Sequence, residues 1–121
     1  MSKWKKVPKA NEELLEKALE AVPEAEKRSM FGCPCWFLNG NMFVGAHQED
    51  IILRLPEADR EDLLDRGLAA NFAPMNGRIM REYVVISRAI RESPVEFGRW
   101  LLRSRDYAAS LPPKTNRARF S

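Results

Sequence analysis

Asn39-Gly40, set between CPCWFL and NMFVGAH, constrains the fold more than any other feature of the chain. Asn-Gly best tolerates the two positive φ angles of a type I′ turn, so the apolar runs on either side predict a tight β-hairpin. With that turn the opposed pairs are Phe37 with Met42, Trp36 with Phe43, Cys35 with Val44 and Cys33 with Ala46. Opposed residues share a face. Cys33, Cys35, Phe37, Met42, Val44 and Ala46 then line one side, and Trp36, Leu38, Asn41, Phe43 and Gly45 the other. Beyond the polar turn at residues 47–50, residues 51–55 (IILRL) read as a third strand, with Ile51, Leu53 and Leu55 joining the first side. That side is wholly apolar and is the expected core. The opposite side carries Trp36, Leu38, Phe43, Ile52 and Arg54, a large apolar area where an antiparallel sheet usually meets water. These five residues form the candidate interaction face, to be covered by one of the chain's own helices, by a second copy or by a protein partner. Arg54 beside Trp36 or Phe43 would add a cation–π contact.

The remaining elements follow from caps and periodicity. Asn11 suits the cap of a first helix whose Leu14, Leu15, Ala18, Leu19 and Val22 share a stripe, and Pro23 ends it. Residues 56–66 read as a short crossover helix opened by Pro56 and closed by Gly67. Residues 70–74 and 82–87 read as two more strands around the loop Met75-Asn76-Gly77-Arg78. Ser93-Pro94-Val95-Glu96 is a capping box with proline at the first helical position, and Phe97, Trp100, Leu101, Ala108 and Leu111 continue one stripe until Pro112-Pro113. The order is helix, three strands, helix, two strands, helix. It predicts an α+β domain at residues 10–111 between basic tails at 1–9 and 112–121.

The net charge of +3 is unevenly placed. Lys3, Lys5, Lys6 and Lys9 crowd one tail, and Lys114, Arg117 and Arg119 the other. Residues 10–65 hold five basic against thirteen acidic groups, whereas residues 66–113 hold eight against four. Such asymmetry marks either solvated helix faces or a surface for an acidic partner. No run of about eighteen apolar residues exists and MSKWKK lacks an apolar signal core, so a cytoplasmic protein without a membrane span is expected.

Cys33-Pro34-Cys35 is the cluster with the most chemical promise. Two thiolates and the single His47 fall short of the four ligands of a closed zinc site, so no metal and no cofactor is expected. Two cysteines two residues apart on one strand resist bridging, and burial on the apolar side makes them small hydrophobes rather than redox thiols. His47 has no nucleophile or orienting carboxylate placed beside it, and no glycine pattern forms a phosphate loop. No catalytic residues are assigned and a non-enzymatic protein is expected. Arg78, Arg81, Arg88 and Arg91 bracket the last strand and are the candidate phosphate or nucleic-acid contacts.

The segments MFG, FLNGNMFVG, ILRLPEADR and FAPMNGRIMREYVVI, in this element order, resemble the TfoX N-terminal domain family, over roughly residues 30–109. The resemblance implies an α+β fold similar to the secretion-chaperone-like class. It also implies a link to transcriptional, competence-type regulation. Arg78 and Tyr83 fit the family pattern as structural or interaction positions. Named members carry a second, C-terminal helical domain, and the single-domain form is the expectation for this chain. Three functions follow in order: a regulatory or adaptor domain working by protein contacts, a nucleic-acid-associated protein using the basic tails and the four arginines, and a thiol-redox or small-ligand protein using Cys33 and Cys35.

Overall fold

The hairpin turn forms where the sequence places it, with Asn39 at φ +53° and Gly40 at φ +81°. The computed structural model describes residues 6–30, 32–74 and 77–114. Lys3, Lys5, Phe31, Met75, Asn76, Arg117 and Arg119 lie outside them.

The chain runs α1 (Lys9–Ala18), a 3₁₀ turn (Leu19–Ala21), β1 (Glu26–Met30), β2 (Cys33–Leu38), β3 (Asn41–His47), β4 (Asp50–Arg54), α2 (Glu57–Asp65), β5 (Ala69–Asn71), β6 (Tyr83–Ile86), α3 (Arg88–Arg91) and α4 (Pro94–Ser110). The strands build a six-stranded sheet in the order β1-β2-β3-β4-β6-β5, antiparallel at every step. This is the expected α+β domain with one strand and one short helix more than periodicity reveals. β1 (EKRSM) is exposed at all five positions, so it has no apolar alternation to read. α3 is a single turn capped by Ser87, whose hydroxyl accepts from the Ile90 amide.

Local chemistry sets the helix ends. Ser93 Oγ accepts from the Glu96 amide with Pro94 in the first turn, the forward half of the expected capping box, while the Ser93 amide donates to the Ile90 carbonyl of the preceding turn. Gly67 closes α2 at φ +71°. Asn11 is not the cap of α1: the helix starts two residues earlier behind Pro8, and the Asn11 amide instead donates to the Glu49 carbonyl at 3.0 Å.

The hairpin register departs from the expected one at a single point. Leu38 opposes Asn41 and Phe37 opposes Met42, but Trp36 opposes Val44 and Cys35 opposes Gly45, leaving Phe43 as an extra residue. A bulge of this kind moves the following side chains to the other face of the partner strand. Trp36, Val44, Leu53 and Val84 therefore form one row across β2, β3, β4 and β6, and all four are buried. Over this row lie Leu15 and Leu19 from the first helical segment, Leu63 of α2, Ile90 of α3, and Phe97, Trp100 and Leu101 of α4. The helices thus share one face of the sheet, and the core lies between.

The bulge is also where α4 docks. Ser104 is fully buried, its hydroxyl 2.8 Å from the Phe43 carbonyl and 2.7 Å from that of Arg54, so one small polar side chain serves both strands. After α4 the chain turns back to the hairpin: the Asn41 side-chain amide donates to the Pro112 carbonyl at 3.0 Å, and the Lys114 amide to the Asn39 carbonyl at 2.8 Å. A Cβ on Gly40 would collide with the Lys114 carbonyl.

Two outcomes follow. Ser104→Ala strips a donor from buried carbonyls and should lower the unfolding free energy by about 1–3 kcal/mol in a urea titration. Gly40→Val forces a β-branched residue to positive φ against the Lys114 backbone, and a loss of about 1–3 kcal/mol from the backbone conformation alone is expected. An unchanged midpoint in either variant would contradict the corresponding contact.

Candidate interaction face

Opposite the helices, the register aligns Arg28, Cys35, Gly45, Ile52, Val85 and Ala70 in a second row. Its centre closes tightly, since a Cβ on Gly45 would stand 3.0 Å from Cys35 Cβ. The segment after β5 crosses part of this face: Phe72 is buried, edge-on to the rings of His47 at 5.2 Å and Tyr83 at 6.5 Å. At the hairpin end lies a polar network. Arg54 binds Glu82 through Nε at 2.8 Å and Nη2 at 2.7 Å, lies 5.4 Å from the Tyr83 ring, and reaches the Met42 carbonyl at 3.4 Å. Tyr83 Oη donates to the same carbonyl at 3.2 Å. Burial raises the pKa of the Tyr83 phenol, and burial followed by the Glu82 carboxylate raises that of Tyr107 on α4. Both phenols therefore stay protonated donors at neutral pH.

This arrangement breaks up the candidate face read from the sequence. Trp36, Leu38 and Phe43 sit in the core beneath the helices, with exposures of 4%, 9% and 0%. Ile52 and Arg54 are on the opposite side, Ile52 buried and Arg54 half-buried. The physical reason is the Phe43 bulge, which an alternation count cannot register. Arg54 accordingly stacks on Tyr83 and not on Trp36 or Phe43, and the cation above Trp36 is Lys27, 5.5 Å from the ring centroid. Cys33, Cys35, Phe37 and Met42, expected in the core, occupy the helix-free side.

The four arginines do not converge. Arg78 and Arg81 precede β6 and Arg88 and Arg91 follow it, so the strand separates the pairs. Arg91 donates to the Glu49 carbonyl at 2.8 Å, and Arg88 lies 3.7 Å from Glu92. Arg78 and Arg81 are exposed, and the Arg81 carbonyl accepts from Arg60.

What the sequence reading missed is the edge of the sheet at β1. Glu26 and Arg28 lie on the helix-free side, joined at 3.1 Å, with the Arg28 guanidinium 4.7 Å from the Phe37 ring. Lys27 points to the helix side, where it pairs with Glu12 at 3.0 Å and with Glu16, and both contacts raise its pKa. Ser29 opposes Pro34. Proline has no N–H to exchange, so this is a non-hydrogen-bonded pair, and the amide and carbonyl of Ser29, and of Lys27 two residues away, face outward. Among the described residues no strand pairs with that edge. The signal available beforehand was Gly32, a turn residue at φ +79° that allows a strand before it as well as after.

Cys33 and Cys35 are not joined by a disulfide. Cys33 is partly exposed and Cys35 buried, its sulfur 3.5 Å from the Arg28 carbonyl. Burial, helped by the neighbouring Cys33, pushes the Cys35 thiol up to about 11. At pH 8, labelling of Cys35 by a thiol reagent, followed peptide by peptide in the wild type, should run about a hundredfold slower than for a free thiol. Because the folded form holds this proton more tightly than the unfolded form, Cys35 also makes stability fall as pH rises from about 9 to 11. Labelling at the free-thiol rate would contradict its burial.

The comparisons with known proteins meet this geometry at the level of the fold. The model of the family described as TfoX N-terminal domain matches residues 17–108, from within α1 to the last turns of α4. No curated protein matches the chain. The matched span takes in every strand of the sheet, the end of α1, α2, α3 and α4 as far as Ala108, and so the chain belongs to the TfoX N-terminal domain family.

Proposed function

We propose that this domain is a non-enzymatic regulatory or adaptor module that acts by protein contact, in the setting of transcriptional, competence-type regulation. The observation that carries the reading is the β1 edge, with which no strand pairs among the described residues and whose outward backbone groups belong to Lys27 and Ser29. An unpaired edge is a ready template for strand addition, where main-chain hydrogen bonds give affinity and flanking side chains give specificity. Arg28 above Phe37 supplies an amphipathic flank on one side, and on the other a groove of about 320 Å³ runs past Glu12, Lys27 and Pro34. The half-covered face beside the edge adds Met30, 43% exposed, as an apolar anchor.

The separation of Arg78 and Arg81 from Arg88 and Arg91 weighs against one continuous phosphate-binding strip. The deciding comparison uses tagged wild-type protein and Ser29→Pro, which blocks the outward amide without touching the ladder to β2. A defined protein, whether a second copy or another chain, should be retained by the wild type and lost by the variant. Equal retention by both would remove the edge from the functional account. Binding to DNA or RNA that weakens steeply with salt, with no protein retained, would put the nucleic-acid reading in its place.

A further inference from the structure

We infer that the occupant of the β1 edge is β1 of a second copy, paired antiparallel about a two-fold axis through Lys27. This rests on the protein-contact reading and gives it a partner. Antiparallel pairing must bring outward-facing residues opposite outward-facing residues, which here means Lys27 and Ser29 and restricts the register to steps of two. Centring on Arg28 would set Arg28 directly against its own copy, like charge on like charge at the closest cross-strand distance. Centring on Lys27 sets Glu26 of each copy opposite Arg28 of the other, giving two opposite-charge pairs on the helix-free side.

That register does oppose Lys27 to Lys27. Each of these ammonium groups, however, is already held by Glu12 and Glu16 of its own α1, so each side of the axis brings two carboxylates for one cation. The charges that ordinarily guard a lone edge strand are thus arranged to accept a copy of themselves. The Lys27 residues exchange both main-chain bonds, and the Ser29 amide meets the carbonyl of residue 25. The Ala25 amide is already committed to Val22 at 3.0 Å, and its carbonyl is what the register needs. The symmetry is isologous and closed, so association stops at two.

The experiment is sedimentation equilibrium on four proteins from about 1 µM to 1 mM: wild type, Glu26→Arg, Arg28→Glu and Ser29→Pro. Wild type should pass from one to two chain masses with concentration. Each charge variant alone should associate at least about tenfold more weakly, and an equimolar mixture of Glu26→Arg with Arg28→Glu should recover the heterodimer, because each supplies the charge the other lacks. Ser29→Pro should stay monomeric. Amide exchange gives a readout that needs no variant: protection at Lys27 should rise with wild-type concentration while protection at Arg28, bonded inward, stays level. Wild type monomeric to 1 mM, or a dimer indifferent to Ser29→Pro and to the charge pairing, would overturn the inference. In the first case a different protein retained by wild type and lost by Ser29→Pro would leave the protein-contact reading standing, and in its absence both fail together.

Discussion

One extra residue in β3 organises the rest of the molecule. With Phe43 bulged out of register, Trp36 turns toward Val44 and both enter the helix side, so the largest side chains of the hairpin land where α1 and α4 can cover them. A bulge leaves backbone groups in need of partners, and each nearby carbonyl has found one from a different element. That of Met42 takes Arg54 and Tyr83, and that of Phe43 takes Ser104. The irregularity is therefore the point where β3, β4, β6 and α4 are tied together, and the identity of residue 104 is dictated by it. A larger residue would hold the helix off the sheet, and an apolar one would withdraw the single hydroxyl donor that the Phe43 and Arg54 carbonyls share.

The same residue explains the division between what could and could not be read from the sequence. Turn and cap chemistry is local, and Asn39-Gly40, Gly67 and Ser93-Pro94 all act as their residue types dictate. The faces of β4, and of β3 from Val44 onward, are also legible, because Val44, Ala46, Ile51 and Leu53 are buried together on the helix side, whereas Met42 and Phe43 exchange sides at the bulge. β2 is not, since its alternation is correct but its phase relative to β3 depends on a bulge that has no composition of its own. The misplacement of Trp36 and the cysteines is one error propagated along one strand.

The missed edge has a different cause. β1 is held by backbone pairing to β2 and by ion pairs to α1, and neither leaves a hydrophobic period. Residues 26–28 carry no strand signal for the same reason they make a serviceable edge: their side chains stay exposed while their main chain pairs with β2. Exposed ion pairs of this type contribute little to stability, and under the proposed pairing of two copies they would instead set which strand is admitted.

The return of residues 112–114 to the hairpin has a consequence in time rather than in space. Asn39-Gly40 is a fast local turn, yet the bonds that fasten it span 71 residues from Asn41 to Pro112 and still more from Asn39 to Lys114. During synthesis the hairpin can close early, but its latch emerges only after α4 has left the ribosome. Until then the bulge lacks Ser104, the turn lacks its strap, and the Trp36 row lacks the part of its cover that Phe97, Trp100 and Leu101 supply. The nascent domain therefore shows, for as long as α4 is unmade, an apolar strip that the finished fold never displays.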